Sequence, residues 1–143
     1  MAKTAKWEPE VVALYCRNVL AEGVEVREGP VEQAGVKARL SVLPCSSRAE
    51  ASQLLKVLAG GVDGIELVGC PDEQCKFLVG NVRAEKRIAY VRGLLDAAGV
   101  GAARLGMSRG ERLNEKDLLA LAKSRAEAVR PLGPNPRKRG NRP

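Results

Sequence analysis

Short apolar runs rich in β-forming residues alternate with longer segments of helical periodicity, and this alternation constrains the fold of the chain most. The runs read VVALYC at 11–16, KARLSVLPC at 37–45 and GIELVGC at 64–70, with ARLGM at 103–107 as a weaker fourth. Strands that alternate with helices in this way are typical of βαβ units, in which the strands lie parallel. We therefore predict an α/β fold with a mostly parallel open sheet of about four strands.

The segments between these runs carry start and stop signals for helices. Each opens at a residue that can cap a helix and closes at a glycine or before a proline; the pairs are Ser47 with Gly60, Asn81 with Gly99, and Asn114 with Pro131. A capping box is expected where Glu50 follows Ser47. Residues 17–35 are poorly periodic, so we expect a short helix plus a loop there. We expect these helices to cover both faces of the sheet, which gives a single doubly wound domain at 1–130, flavodoxin-like or Rossmann-like.

The C-terminal segment 131–143, PLGPNPRKRGNRP, differs in composition from the rest of the chain. It has four basic residues and no acidic one, so it supplies four of the seven net positive charges. Segments rich in proline, glycine and arginine are usually solvated, and we predict a disordered basic tail. Such a tail could hold an acidic partner or nucleic acid. Aromatic residues make up only 3% of the chain, however, which argues against a stacking surface for single-stranded nucleic acid.

Composition excludes several classes of function. The chain has no histidine, which removes Ser-His-Asp and Cys-His catalysis and every histidine-ligated metal site. It has no glycine-rich motif of the dinucleotide-binding or phosphate-binding kind. No apolar run approaches the roughly 20 residues that cross a bilayer, and the first residues do not resemble a secretory signal. We therefore expect a cytoplasmic protein, in which thiols stay reduced.

Three of the four cysteines are placed at predicted strand ends. Cys16, Cys45 and Cys70 each close a different predicted strand, and Cys75 follows Cys70 in the loop CPDEQC. In an open α/β sheet the carboxyl ends of the strands form one edge, and ligands bind in the crevice there. All four cysteines are therefore expected to gather at one site.

Two interpretations of these cysteines compete. A cysteine can fill a strand end as a small hydrophobe, but core packing gives no reason for four of them to gather at one edge. Thiolates without any histidine suit either zinc or an iron–sulfur cluster. Structural zinc sites usually draw on paired cysteines about two to four residues apart, and only Cys70 and Cys75 approach that spacing. A dithiol redox pair would be expected to show C-x-x-C, which is missing. The pattern predicts one four-cysteine metal site and leaves the metal open.

Short motifs surround the cysteines in unbroken order from residue 7 to about residue 112. They are W-x-P at Trp7, C-x-N at Cys16, C-S-x-R at Cys45, L-L-K-x-L at Leu54, G-x-D-G at Gly61 and G-C-x-x-x-x-C at Gly69. Together they resemble the delta subunit of the methyl-viologen-reducing hydrogenases. That family is an iron–sulfur electron-transfer subunit, which also occurs beside or fused to heterodisulfide-reductase-like flavoproteins.

The resemblance implies a 2Fe-2S cluster that relays electrons between a redox subunit and a flavin- or cluster-bearing, heterodisulfide-reductase-like partner. It implies that the isolated chain is not an enzyme but one component of a larger oxidoreductase complex. Carried over residue by residue, the implied cluster ligands are Cys16, Cys45, Cys70 and Cys75.

The chain departs from the family pattern at three positions. The family usually has a further cysteine where this chain has Val19, a glycine at Ser47 and a histidine at Lys76. The alternative to electron transfer is a structural or assembly subunit whose four-cysteine site holds zinc or no metal.

Overall fold

Five strands form one sheet in the computed structural model, which describes residues 7–33, 36–43, 50–69 and 80–137. Three helices pack on this sheet. In chain order the elements are β1 Glu10–Cys16, β2 Gly29–Gln33, β3 Val36–Leu43, α1 Ala51–Ala59, β4 Gly64–Gly69, α2 Gly80–Ala97, β5 Leu105–Arg109 and α3 Glu115–Val129. The predicted α/β class is confirmed.

The strand order across the sheet is β2-β3-β1-β4-β5. Strand β1 lies in the middle and runs parallel to both β3 and β4, and β5 runs parallel to β4. Only β2, at the edge, is antiparallel to its neighbour β3. The four parallel strands are the four predicted from the apolar runs, and their order is that of a flavodoxin-like sheet.

The two faces of the sheet bury separate apolar clusters, because successive side chains of a strand point to opposite faces. Val11, Ala13 and Tyr15 of β1 pack with buried residues of α3. Val12 and Leu14 pack on the other face with buried residues of α1 and α2. Helices on both faces confirm the doubly wound architecture.

The first connection differs from the expected short helix plus loop. A 3-10 helix at Arg17–Val19 follows β1, and the chain then forms β2, which pairs with β3. The strand was missed because it contains Pro30 and carries no alternating apolar pattern. An edge strand tolerates proline, since only one of its sides must supply hydrogen bonds.

The helix boundaries follow the sequence signals with one correction. The Asn114 side chain accepts from the Asp117 backbone N–H at 3.0 Å and Asp117 reciprocates, so α3 opens with a capping box. Helix α1 instead begins at Ala51 with Glu50 as its N-cap residue. Glu50 therefore does not occupy the third helical position that the predicted capping box requires, and Ser47 lies outside the described residues.

The C-terminal segment is packed on the domain as far as Arg137, which corrects the expectation that all of 131–143 is disordered. Asn135 is buried: its side-chain N–H groups donate to the carbonyl oxygens of Leu58 at 2.8 Å and Val62 at 2.6 Å. Its backbone N–H donates to the Asp63 carboxylate at 2.8 Å. Composition alone missed these bonds because their partners lie more than 70 residues away. Residues 138–143 lie outside the described part of the chain.

Within the described residues, no helix combines the length and the apolar character that a membrane span requires.

Candidate functional site

Strands β3, β1 and β4 end side by side at the carboxyl edge of the sheet. Cys16 is the last residue of the central strand β1, and it pairs with Leu43, the last residue of β3. On the other side Tyr15 pairs with Val68, so β1 and β4 end at nearly the same level. Neighbouring strands lie about 4.8 Å apart. The chain therefore leaves β3, β1 and β4 from three adjacent points.

A crevice is expected between β1 and β4, because their connections run to opposite faces of the sheet. After β1 the chain turns onto the α3 face, where Val19 and Leu20 join the cluster that contains Leu118. The next described element after β4 is α2, which packs on the other face through Ile88 and Val91. This is the topological switch point at which open α/β sheets bind their ligands.

The structure describes one of the four predicted site residues. Cys16 ends β1 as expected. Cys45 comes two residues after the end of β3 and Cys70 directly after the end of β4, but both lie outside the described residues, as does Cys75. In the ranges that the structure describes, no three metal-ligating side chains form a group. The assembly of the four thiols therefore stays a prediction, while the structure shows that the strands which end at or just before three of them finish side by side.

Cys16 lies in an apolar environment at this edge. Its exposed fraction is 1%, and it belongs to the same cluster as Tyr15, Val19 and Val68. Val19, where the resemblance led us to expect a further cysteine, is fully buried at the end of the 3-10 helix that follows Cys16. The two positions therefore lie in one turn of chain at the edge of the sheet.

Backbone hydrogen bonds fasten the loops around the edge. Leu113, in the loop before α3, donates to the Val19 carbonyl oxygen at 2.8 Å and accepts from the Ala21 N–H at 2.9 Å. The Gly110 N–H donates to the Gly69 carbonyl oxygen at 3.0 Å, which extends the pairing of β4 with β5. These main-chain hydrogen bonds hold the chain that follows β1 and β4 to the loop that follows β5.

Basic side chains surround the same edge. Arg17, directly after Cys16, is exposed. Arg109 at the end of β5 forms an ion pair of 2.7 Å with Glu85 near the start of α2. Arg112 lies in the next loop with a backbone φ of 56°, an uncommon value for a residue other than glycine. Positive side chains near an anionic centre stabilise the extra electron of its reduced form.

Tyr15, next to Cys16, carries the clearest titration shift at this end. Burial raises the pKa of its phenol above the ordinary value of 10.0, and Glu28 and Glu115 raise it further, while Arg17 opposes them. The phenol is therefore neutral at physiological pH, and the shift reflects packing against the α3 face.

Two buried polar groups were not foreseen from the sequence. Glu66, in the middle of β4, accepts from Arg125 Nε at 2.7 Å and from the Ser108 hydroxyl. Arg104 donates to the carbonyl oxygens of Asp63 at 3.1 Å and Gly133 at 2.9 Å, and burial lowers its pKa from the usual value. A charged residue inside an apolar run was the only signal for Glu66.

These polar groups lie away from the carboxyl edge. Asp63 directly precedes β4 and accepts from the Glu10 N–H at 2.8 Å, so the Asp63–Arg104–Asn135 group closes the amino edge. Glu66 lies three residues before the end of β4. We assign both groups to holding the fold together rather than to the candidate site.

The family model of the methyl-viologen-reducing hydrogenase, delta subunit, matches residues 11–133. The chain belongs to this family. The match begins in β1 and ends in the packed C-terminal segment, so it covers both the sheet and all three helices. The resemblance drawn from the motifs is thereby confirmed.

Hydrogenase iron-sulfur subunits match over almost the whole chain. The chain is 25% identical over 131 residues to the vhu iron-sulfur subunit of the F420-non-reducing hydrogenase of Methanocaldococcus jannaschii, and the match covers 92% of this chain and 98% of that protein. It is 26% identical over 129 residues to the protein of the same name from Methanococcus maripaludis, covering 90% and 96%.

A shorter similarity reaches a different protein. The chain is 33% identical over 61 residues to one subunit of the ferredoxin:CoB-CoM heterodisulfide reductase of Methanosarcina mazei. That stretch is 43% of this chain but only 8% of the larger protein.

Proposed function

We propose that this chain is an electron-transfer subunit that holds a 2Fe-2S cluster through Cys16, Cys45, Cys70 and Cys75. The observation that carries the proposal is the convergence of β3, β1 and β4 at the switch point, with Cys16 at the end of β1 and Cys45 and Cys70 within two residues of the other two ends. The relatives named as iron-sulfur subunits support the choice of an iron–sulfur cluster over zinc.

The donor set fits such a cluster. Thiolates are the usual ligands of 2Fe-2S clusters, four are required, and the chain has four cysteines and no histidine. When bound, the cluster accepts and releases one electron at a time.

The residues of this chain then have three tasks. Cys16 is fixed at the end of a strand that is hydrogen-bonded on both sides, so its backbone position is rigid. The apolar cluster around Tyr15 and Val19 limits access of water from the α3 face, and solvent exposure is one determinant of the potential. Arg17, exposed directly after Cys16, supplies positive charge at the edge, whereas the charge of Arg109 is paired with Glu85.

The same proposal makes the chain a part of a multi-subunit redox complex. An electron-transfer subunit with one cluster takes electrons from one neighbour and passes them to another. The names of the relatives suggest a hydrogenase on one side, and the similarity to a heterodisulfide reductase suggests a partner of that kind on the other. We place this complex in the cytoplasm, where the thiols stay reduced.

Single substitution of each cysteine by serine tests the ligand set. We expect each of Cys16→Ser, Cys45→Ser, Cys70→Ser and Cys75→Ser to lose most of the cluster absorbance and the bound iron after anaerobic purification, because a hydroxyl is a much poorer ligand for iron than a thiolate. The matched control is Ser124→Cys on the exposed face of α3, which adds a thiol away from the edge and should leave iron content unchanged.

Three results would contradict the ligand set or the cofactor. Stoichiometric zinc in a colourless wild-type protein would favour the structural or assembly role. Full iron content in Cys16→Ser would remove Cys16 from the site. About four irons and four sulfides per chain would replace the 2Fe-2S assignment by a larger cluster.

The Val19 position offers an independent check on the ligand count. If four cysteines suffice, Val19→Cys should bind the same amount of iron and sulfide as the wild type. A large gain in cluster content in Val19→Cys would show that the wild-type chain lacks a ligand.

A further inference from the structure

Helix α2 carries a stripe of side chains on the side that does not pack on the sheet. Its packed side joins the apolar cluster on the sheet through four buried residues, Ala84, Ile88, Val91 and Leu95. Side chains three and four residues apart lie on the same face of a helix. This spacing puts five further residues on one face, and we call them the α2 stripe: Arg83, Lys86, Arg87, Tyr90 and Leu94. All of them are exposed except Arg87, which is partly buried.

The apolar part of the α2 stripe is formed by two exposed side chains. Tyr90 is exposed by 63%, and Leu94, one turn later, is exposed by 39%. Among the residues that the structure describes, only three large hydrophobic side chains are exposed, so two of them are neighbours on this helix. Exposed apolar side chains that lie together mark interaction sites, and tyrosine and arginine are enriched in the contact regions between proteins.

Positive charge precedes this apolar part along the helix. Arg87 and Lys86 lie three and four residues before Tyr90, and Arg83 lies about one turn further from it. The neighbouring helix α1 contains Lys56 and no acidic residue. The α2 stripe therefore combines an apolar contact area with three cations of its own.

The two acidic residues of α2 do not offset this charge. The Glu85 carboxylate forms an ion pair of 2.7 Å with Arg109 at the end of β5. The Asp96 carboxylate accepts from the backbone N–H of Ala102 at 2.9 Å. Neither residue has the spacing that would put it on the α2 stripe, so the electrostatic complement of this stripe is an acidic surface.

The basic end of the α2 stripe lies at the same end of the sheet as Cys16. Helix α2 follows β4, and the Glu85–Arg109 ion pair connects its first turns to the carboxyl end of β5. From Arg83 to Leu94 the α2 stripe extends over about three turns, or roughly 17 Å. A protein bound along it would therefore lie beside the edge at which β1 ends.

We propose that the α2 stripe binds an acidic surface of a partner protein. Carboxylates of the partner lie against the cations of the stripe, and an apolar side chain of the partner packs on Tyr90 and Leu94. Two exposed apolar side chains are too few to bury the helix in a membrane surface, and one aromatic ring does not form a stacking platform for single-stranded nucleic acid. The identity of the partner as a redox protein rests on the proposed function, whereas the binding of an acidic surface does not.

A pair of designed peptides tests the proposal on the full-length chain. The first is a helical peptide of about 18 residues, or five turns, with leucines spaced three and four residues apart and glutamates beside them. The second has lysine in place of each glutamate. We expect the acidic peptide to shift the amide NMR signals of Lys86, Tyr90 and Leu94, and to bind at least about tenfold more tightly than the basic one.

A double charge reversal locates the contact. Arg83→Glu combined with Lys86→Glu should weaken the acidic peptide at least about tenfold and reduce the dependence of its affinity on salt. The matched control is Lys116→Glu combined with Lys123→Glu, which makes the same change of charge at two exposed positions of α3, on the opposite face of the sheet. The control should change the affinity by less than about twofold.

Two substitutions of Tyr90 separate the ring from the hydroxyl. Tyr90→Ala removes the exposed ring and should weaken the acidic peptide about fivefold to tenfold. Tyr90→Phe keeps the ring and should bind within about twofold of the wild type.

Several outcomes would overturn the proposal. They are equal affinity for the two peptides, no binding of the acidic peptide at millimolar concentration, signal shifts confined to α3, and equal losses from the two double variants. Tighter binding of anionic phospholipid vesicles or of a duplex oligonucleotide than of the acidic peptide would assign the cations to another polyanion. The cluster absorbance of the same samples is read separately. A colourless sample that binds the peptide would contradict the cofactor alone, and a coloured sample that does not bind it would contradict the α2 stripe alone.

Discussion

Tyr15 and Cys16 are adjacent residues of β1, and both are almost fully buried. Cys16 ends the strand at the switch point, and Tyr15, one residue earlier, packs against α3 in the cluster to which Cys16 also belongs. Their different positions give them different roles: the thiol is a proposed ligand, and the phenol is a packing group whose neutral form the fold favours.

Tyr15 predicts a pH dependence of stability. Burial, with Glu28 and Glu115, raises its pKa in the folded protein above 10.0. The contribution of the Tyr15 phenol to the free energy of unfolding is therefore complete below pH 10.0. It is lost as the pH rises from 10.0 through the pKa of the folded protein, because in that range the unfolded chain releases the proton and the folded chain keeps it. We expect the free energy of unfolding in urea to fall more gently above about pH 10 in Tyr15→Phe than in the wild type.

The control for this measurement is Tyr90→Phe, which removes an exposed phenol. It should leave the alkaline decline unchanged. The same decline in Tyr15→Phe as in the wild type would show that the Tyr15 proton does not contribute to stability.

At the residue level the sequence identified the positions that follow a simple spatial rule. Cys16 could be placed because the carboxyl end of a parallel strand is a defined point in an α/β sheet. Asn135 could not, because its role depends on carbonyl groups of Leu58 and Val62 that only the folded chain brings near it. Its neighbours in the sequence are prolines and basic residues, whose composition indicates a solvated tail.

Strand β4 is coupled to α3 by a partly buried ion pair. Arg125 of α3 reaches over the sheet to Glu66 of β4 and also donates to the Ala103 carbonyl oxygen at 3.0 Å. Gly106 of β5 permits this reach, because a Cβ atom at that position would overlap the Arg125 guanidinium. The glycine is therefore required by the ion pair and not by a turn.

A matched pair of glycine substitutions tests this coupling. Gly106→Ala should lower the free energy of unfolding by about 1–3 kcal/mol, because it displaces the guanidinium of a partly buried ion pair. Gly93→Ala, in α2 where no atom lies within 4 Å of the added Cβ, should raise it by about 0.5–1 kcal/mol through helix propensity. Chemical denaturation measures both. Equal effects of the two substitutions would contradict the role assigned to Gly106.

The elements divide into those that sequence could and could not reveal. Strands β1, β3 and β4 were found because they are buried in the sheet and read as apolar or alternating runs. Strand β2 was missed because an edge strand is stabilised by backbone pairing with β3, which leaves no comparable pattern in the side chains. The start of α1 was misplaced because Ser47 and Glu50 have the spacing of a capping box, while the helix begins at Ala51.

The whole molecule has two ends with different chemistry. The carboxyl edge of the sheet carries Cys16 and leads to the other cysteines. The amino edge carries the Asp63–Arg104–Asn135 group, which holds residues 131–137. An apolar groove between the last turns of α1 and α2 lies beside this group. This separation means that the C-terminal segment can be altered without touching the candidate cluster site.

Two truncations test how the C-terminal segment contributes. A chain that ends at Arg137 keeps the Asn135 bonds, and its thermal midpoint should match that of the wild type. A chain that ends at Arg130 loses them and leaves the carbonyl oxygens of Leu58 and Val62 without these donors. It should lose at least about 3 kcal/mol of stability. Equal midpoints for the two truncated chains would contradict a structural role for residues 131–137.

Native mass spectrometry of the full-length chain, purified without oxygen, shows directly whether the four thiols hold a 2Fe-2S cluster. We expect a single folded species whose mass exceeds that of the polypeptide by two irons and two sulfides, and we expect Cys16→Ser to lose this increment. A wild-type species that carries one zinc, or no metal at all, would contradict the assignment of this chain as a 2Fe-2S electron-transfer subunit.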